Sequence, residues 1–154
     1  MIKLYYTFTP IESEEFIKKA LEKFSGTTDF DIKRTENGKP YVDDKIFFSL
    51  SHSSSLTICA VSNENIGADA EKVRSINNKE KILQKFLSDT KCCSDEEFFQ
   101  KWTSFESRVK YFGEKITACP QALSKTLFVQ TIKLDEYIIA ICSKSKKQIK
   151  KEIL

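Results

Sequence analysis

The sequence is poor in glycine, proline and histidine. Its 154 residues include four glycines, three prolines and one histidine. So few glycines and prolines exclude a fibrous or loop-rich chain, and a single histidine excludes the usual cysteine and histidine patterns of zinc sites. Because 40% of the residues are hydrophobic and 12% are aromatic, the chain can bury a core. We therefore expect a globular protein.

The charge is nearly balanced, with 25 basic and 22 acidic residues and a net charge of +3. The chain therefore lacks the dense basic patch that is typical of nucleic-acid-binding proteins. The basic residues of segment 144–151 are interpreted as one face of a solvated final helix. Attraction to an acidic partner or to a phosphate ligand is the alternative.

Long apolar runs and paired cysteine motifs are missing. No run approaches the roughly 20 apolar residues of a membrane span, and the start of the chain is too short and too polar for a secretory leader. The five cysteines form no C-x-x-C motif, so we expect free thiols in a reducing cytoplasm, two of them in the core (Cys59 and Cys142) and three elsewhere (Cys92, Cys93 and Cys119).

Hydrophobic periodicity and turn signals predict alternating strands and helices. Predicted strands cover residues 2–8, 30–34, 46–50, 56–61, 66–71, 127–134 and 137–142. Predicted helices run from a capping box at 9–12 to about Phe24, over 77–87, and from a second capping box at 94–97 to Gly113. This mixture predicts an α+β fold with mostly antiparallel sheets.

The long helix carries an apolar stripe with spacings of four and three residues. Such spacing indicates one buried face, and we interpret the stripe as core. Its members are Phe98, Trp102, Phe105, Val109 and Phe112.

Two acidic residues stand two positions apart on a predicted strand, Asp69 and Glu71. Period-two geometry directs both carboxylates to the same side of the sheet. Neighbouring carboxylates repel unless a cation or a proton lies between them, and oxygen ligands suit Mg²⁺. A solvated strand face is the alternative interpretation.

The only histidine, His52, lies within a run of serines that includes Ser51. Hydroxyls, backbone N–H groups and an imidazole can together hold phosphate oxygens, although an exposed polar turn has the same sequence. On the long helix, Glu106 and Lys110 lie four residues apart and share a face. They form either a surface ion pair or a third metal ligand with a phosphate-binding lysine.

These motifs occur in a fixed order between Asn37 and Gly113, over roughly half of the chain. The order is Asn-Gly-Lys-Pro, Ser-His-Ser, Ile-Gly-Ala-Asp-Ala-Glu, and a helix from Trp102 that contains Glu106 and Lys110. This succession resembles the 4′-phosphopantetheinyl transferases of the surfactin-synthetase type. Their pattern is a G-K-P turn, S-H-S, I-G-x-D-x-E, and W-x-x-K-E-x-x-x-K.

The resemblance implies two similar α+β halves, residues 1–73 and 74–154, in a pseudo-twofold arrangement with the site in the cleft between them. It implies Mg²⁺-dependent transfer of 4′-phosphopantetheine from coenzyme A to a serine of an acyl or peptidyl carrier protein, with release of 3′,5′-ADP. The implied roles are metal binding by Asp69, Glu71 and Glu106, coenzyme A binding by Lys39, Ser51, His52 and Lys110, and catalysis by Glu106 and Lys110.

The sequence departs from the family pattern in three places. Phe105 occupies the position of the first helix lysine, and the second glycine of the usual G-x-G-L is absent after Gly113. The N-terminal stretch is short, and its only candidates for binding the 3′-phosphate are Lys18, Lys19, Lys23, Lys33 and Arg34.

Two other functions fit the same residues. One is a degenerate module that binds coenzyme A or a carrier protein without turnover, and the other is an unrelated Mg²⁺-dependent phosphoesterase. The two-halves interpretation favours a monomer, while the short first half leaves dimerisation open.

Overall fold

The computed structural model describes residues 1–43, 45–92, 94–118 and 126–154. Its strands are β1 (Ile2–Thr7), β2 (Lys33–Arg34), β3 (Pro40–Tyr41), β4 (Phe47–Ser53), β5 (Leu56–Ser62), β6 (Gly67–Lys72), β7 (Phe128–Leu134), β8 (Tyr137–Ser143) and β9 (Ile149–Ile153). Its helices are α1 (Ser13–Ser25), α2 (Lys79–Leu83) and α3 (Asp95–Phe112), and a 3₁₀ turn follows at Ile116–Ala118.

The strands form three sheets. Sheet A has the order β4-β5-β1-β9, a second sheet pairs β2 with β3, and sheet C has the order β6-β8-β7. All the pairings are antiparallel except that of β1 with β9. The predicted mixed α+β class with mostly antiparallel sheets is confirmed. The division into halves 1–73 and 74–154 stays a prediction.

The sheets and helices pack as four layers, with sheets A and C between α1 and α3. Alternation along the strands explains the layering, because successive side chains point to opposite faces. On β5, Ile58 and Ala60 face sheet C, whereas Cys59 and Val61 face α1. On β8, Ile139 and Ile141 face sheet A, and Ile138 packs against α3. The strands that are buried on both faces therefore place the core in the middle of the molecule.

Helix α1 begins later than the predicted capping box. The box at Thr9 was wrong, since Glu12 is the N-cap and makes no side-chain cap bond. Thr9 N instead donates to Thr7 Oγ1, and the extended segment lets Ile11 pack against the apolar cluster beneath α1. The predicted end is confirmed, with Gly26 at φ 78° and its N–H donating to Glu22 O.

Helix α3 follows the predicted capping motif and end. Ser94 Oγ accepts a hydrogen bond from Glu97 N, and Gly113 ends the helix at φ 70°. The apolar stripe is buried at Phe98, Phe105 and Val109. Its last member was predicted wrongly, because Phe112 lies in the final turn, beyond the layer that α3 covers, and is 38% exposed.

Two other predicted helices differ from the structure. The final polar helix was wrong, because segment 149–153 forms strand β9, which satisfies the open edge of β1 through bonds such as Ile2 N to Gln148 O. A short, strongly basic helix gains less from burial than a strand that completes a sheet. The predicted helix 77–87 is reduced to α2, which starts after Asn78 in a left-handed conformation (φ 57°).

The thiols of Cys59 and Cys142 are buried and free as predicted, and burial raises the pKa of both. Cys92 is free and partly exposed, while Cys93 and Cys119 lie outside the described residues. None of the described helices combines the length and the apolar character of a bilayer span.

Candidate functional site

Three carboxylates from two elements meet on one side of sheet C. Asp69 and Glu71 lie two residues apart on β6, so both side chains are on the face of the strand that packs against α3. Glu106 lies on α3. One ligand oxygen from each residue lies within 4.8 Å of the others. The structure thus brings together the three predicted metal ligands.

Gly67 allows α3 to approach β6 this closely. A Cβ atom at this position would lie 2.0 Å from Ser107 O and 2.3 Å from Tyr111 N, both of which are backbone atoms of α3. Ser107 and Thr103 are completely buried at the same interface. The small residues therefore set the distance between the helix that carries Glu106 and the strand that carries Asp69.

Asp69 is buried, with 4% of its surface exposed. Its Oδ1 accepts hydrogen bonds from Ser51 Oγ at 2.8 Å and from Lys110 Nζ at 2.8 Å. No donor in the described part of the chain reaches its buried Oδ2. A buried carboxylate oxygen without a donor is costly, so this atom is a ready position for a cation or a shared proton.

Glu71, which lies two residues further along β6, is held in the same way. Its Oε2 accepts hydrogen bonds from Ser53 Oγ at 2.9 Å and from Arg74 Nη1 at 3.0 Å. The guanidinium of Arg74 is itself fixed, since it donates to Lys72 O at 3.0 Å and lies 4.8 Å from the centre of the Phe99 ring.

The surroundings of Glu106 favour its protonated form. Burial, followed by the negative charge of Asp69, raises the pKa of Glu106 to about 9, against the opposing charge of Lys110. In the absence of a cation, Glu106 is therefore protonated near neutral pH.

The carboxylates line a cavity of about 410 Å³. Basic groups share its wall, namely Arg34, His52 and Lys110. His52 is exposed, as expected for a residue that would contact a ligand from solvent. The cavity combines an acidic floor with basic walls, which suits a divalent cation together with phosphate groups.

Lys39 does not line this cavity. Its Nζ donates to Lys110 O at 2.7 Å, and burial lowers its pKa to about 8. Ser51 does line the cavity, but it is only 5% exposed. Its hydroxyl donates to Asp69 and accepts from Ala70 N and Lys110 Nζ. Both residues lie near the predicted phosphate site with their polar atoms already engaged.

Sequence reasoning assigned no role to Arg74, and it considered Ser53 only as one of the hydroxyls that could hold phosphate oxygens. The period of two from Ser51 to Ser53 matches that from Asp69 to Glu71 and is the signal for the contact of Ser53 with Glu71. Arg34 was one of five basic candidates. The structure distinguishes Arg34, because Lys18, Lys19, Lys23 and Lys33 pair with acidic residues.

The donor set fits Mg²⁺. Three carboxylates offer oxygen ligands, and no donor within the described residues contacts the buried Asp69 Oδ2. Mg²⁺ binds through a few carboxylates and keeps positions for water and substrate phosphates, which the open cavity leaves room for.

Comparison with curated proteins gives relatives of one kind. The chain is 34% identical to the 4′-phosphopantetheinyl transferase gsp of Aneurinibacillus migulanus, over 54% of the chain and 38% of that protein. It is 31% identical to HetI of Nostoc sp. (strain PCC 7120), over 59% of the chain, and to Sfp of Bacillus subtilis (strain 168), over 58%, in each case over 44% of the relative. Both carry the same enzyme name. The match therefore spans less than half the length of these relatives, and no family model matches the chain.

Proposed function

We propose, from the sequence relationship of this chain to 4′-phosphopantetheinyl transferases, that it transfers 4′-phosphopantetheine from coenzyme A to a serine of an acyl or peptidyl carrier protein. The observation that carries the proposal is the cluster of Asp69, Glu71 and Glu106, whose ligand oxygens lie within 4.8 Å of one another. The buried Asp69 Oδ2 has no donor in the part of the chain that the structure describes. The basic wall of the same cavity supports a phosphate-bearing substrate.

Asp69, Glu71 and Glu106 would hold Mg²⁺. When bound, the ion would neutralise charge on the carboxylates and on the pyrophosphate as its bond breaks. The other residues of the cavity act on the substrates. Arg34 and His52 are placed to hold phosphate oxygens. Lys110 would do so by exchanging one of the bonds that its Nζ makes to Leu50 O, Ser51 Oγ and Asp69 Oδ1.

Glu106 is the proposed base, in the ionised form that a bound cation would favour. Its carboxylate accepts the proton of the carrier serine as the hydroxyl oxygen attacks the β-phosphorus of coenzyme A. A new bond forms between this oxygen and phosphorus, while the bond from phosphorus to the bridging oxygen breaks. The bridging oxygen and its electron pair leave with 3′,5′-ADP. Lys110 and His52 meet the charge that develops on this leaving group.

Lys39 and Ser51 keep the proposed role in coenzyme A binding. The amine of Lys39 would first exchange its bond to Lys110 O, and Ser51 would act through its position beside Lys110. We propose that the protein acts in the cytoplasm as a monomer.

The experiment is transfer to a panel of apo carrier proteins, with coenzyme A and Mg²⁺, followed by intact-mass spectrometry of the carriers. The expected result is the gain of one phosphopantetheine, which disappears with EDTA and in Asp69→Asn. The matched control is Asp89→Asn, an exposed aspartate that pairs with Lys101. No gain on any carrier, or full activity of Asp69→Asn, would contradict the proposal.

A non-catalytic module that binds coenzyme A or a carrier protein is the second candidate. Phe105 favours it, because its ring is buried against Phe86 and Trp102 where the family pattern has a lysine. The same assay separates the two, since the module would bind coenzyme A in a titration and release no 3′,5′-ADP.

A further inference from the structure

Strands β4 and β6 are the facing edges of sheets A and C, and a ladder of serine hydroxyls joins them. Ser49, Ser51 and Ser53 alternate along β4, and their Oγ atoms accept from the backbone N–H groups of β6. The contacts are Ala68 N to Ser49 at 2.8 Å, Ala70 N to Ser51 at 3.2 Å and Lys72 N to Ser53 at 3.0 Å. The hydroxyls thus provide acceptors for backbone N–H groups on the free edge of β6.

The three serines differ in where they donate. Ser49 Oγ donates to the backbone at Ala68 O, whereas Ser51 and Ser53 donate to the carboxylates of Asp69 and Glu71. Each carboxylate therefore has one oxygen held by a serine of the opposite sheet. A cationic side chain holds the same oxygen, Lys110 for Asp69 and Arg74 for Glu71.

This pairing leaves one oxygen of each carboxylate for a ligand. For Asp69 that oxygen is the buried Oδ2. For Glu71 it is Oε1, because the described hydrogen bonds to this side chain both end on Oε2. A carboxylate held in this way presents its other oxygen to a ligand, and coordination through both oxygens would compete with the hydrogen bonds to Oε2.

Single-oxygen coordination distinguishes cations by size. Mg²⁺ requires a compact octahedron and uses few carboxylate oxygens, whereas Ca²⁺ takes six to eight ligands and accepts bidentate carboxylates. A fixed Oε2 thus favours Mg²⁺, and a freed one would favour Ca²⁺.

We propose that Ser53 and Arg74 are positioning residues that hold Glu71 in single-oxygen coordination and thereby set the preference of the site for Mg²⁺ over Ca²⁺. The inference rests on the proposed function, because it takes the three carboxylates as the metal site. Neither residue touches the reacting atoms, so both act through Glu71.

The test is titration calorimetry of the whole chain with Mg²⁺ and separately with Ca²⁺, which needs no substrate. Ser53→Ala should lower the Mg²⁺ affinity about tenfold, the usual size of such outer-shell effects. The Ca²⁺ affinity should fall less, so the ratio of the two affinities shifts towards Ca²⁺. Ser53→Thr keeps the hydroxyl and should restore both values.

Two controls separate positioning from folding and from charge. Ser49→Ala removes an equivalent acceptor from the β6 edge but no carboxylate contact, so it should lower stability without changing the affinity ratio. Arg74→Met should shift the ratio as Ser53→Ala does. Lys72→Met removes a neighbouring charge that pairs with Glu136 and should not shift it.

The outcomes distinguish this inference from the proposed function. An unchanged ratio in Ser53→Ala and Arg74→Met, or an equal shift in Ser49→Ala, would overturn the positioning role while the metal site stands. Failure of the wild-type chain to bind Mg²⁺ would overturn both.

Discussion

Lys110 Nζ lies 2.8 Å from Asp69 Oδ1 and so joins helix α3 to strand β6 at the centre of the candidate site. The side chain of Asp69 is 5% exposed and that of Lys110 is 35% exposed, so the pair is shielded from solvent on one side only. The ion pair engages Oδ1, and among the described residues no donor reaches the buried Oδ2. It therefore links the stability of the site to its chemistry, and the predictions below separate the two.

Glu106→Gln should stabilise the metal-free protein at alkaline pH. The pKa of Glu106 is raised from 4.5 to about 9, chiefly by burial. Between these values the unfolded state has lost a proton that the folded state keeps, so wild-type stability falls as pH rises. The glutamine of the variant does not ionise, so its stability does not fall with pH for this reason. In EDTA, the melting temperature of the variant should exceed that of the wild type, and the difference should grow from pH 5 to 9. Each kcal/mol of difference in unfolding free energy corresponds to about 2–4 °C in melting temperature.

Glu64→Gln provides the contrast. The hydrogen bond and charge of Lys147 lower the pKa of Glu64, so its contribution is present above pH 4.5 and is lost as the pH falls. The difference from the wild type should then stay constant between pH 5 and 9. A Glu106→Gln margin that is equally constant would contradict the assignment of a partly buried, protonated Glu106.

Gly67→Ala should destabilise the fold and disturb the site. The new Cβ would meet backbone atoms of α3 at 2.0 and 2.3 Å, which the helix can relieve only by moving. We expect a loss of about 3 kcal/mol or more in urea unfolding, with weaker Mg²⁺ binding. Gly38→Ala is the control, since its φ of 83° costs about 1–2 kcal/mol but its Cβ meets nothing within 4 Å. Equal losses in the two variants would argue against the close contact.

Phe105→Lys, which restores the lysine of the family pattern, should not improve transfer. Phe105 is 2% exposed and its ring lies 5.9 Å from that of Phe86. Replacing the ring with an ammonium group should cost at least ~3 kcal/mol of stability, measured by urea unfolding. Phe105→Leu should cost less. A stable Phe105→Lys variant with faster transfer would show that the phenylalanine limits activity and that the lysine reaches the cavity.

Arg34→Gln should weaken coenzyme A binding and leave Mg²⁺ binding unchanged. Arg34 lines the cavity, and a charged hydrogen bond to phosphate contributes about 1.5–3 kcal/mol, or at least about tenfold in affinity. Lys33 is the preceding residue, but its side chain pairs with Asp43 and does not line the cavity. Lys33→Gln should therefore have a small effect. Calorimetric titration with coenzyme A measures the affinity of both variants. Equal losses of affinity would show that Arg34 contributes only a non-specific charge and no contact with phosphate.

Local patterns predicted much of the site. The spacing of Asp69 and Glu71 placed both on one face of a strand, and the spacing of Glu106 and Lys110 placed both on one face of a helix. The structure shows these faces turned towards each other. Such predictions succeed because the periods of strands and helices depend only on backbone geometry.

Other features escaped prediction because they depend on distant partners. Segment 149–153 is a strand because the edge of β1 lacks a neighbour, although its composition suggests a polar helix. Thr9 does not cap α1, since Ile11 packs against the core instead. Ser53 contacts Glu71 only because packing places strand β4 of sheet A against strand β6 of sheet C.

The sequence by itself determined the α+β class, most of the strands, the ends of the long helix and the residues that form the acidic cluster. The tertiary structure decided how near α3 lies to β6, which carboxylate oxygens are engaged and which of the basic residues reach the cavity. The physical reason is the distance along the chain over which the interactions act. Periodicity and capping act within a few residues of the chain, whereas the contact of Gly67 with Ser107 and the serine ladder form between elements that only packing brings together.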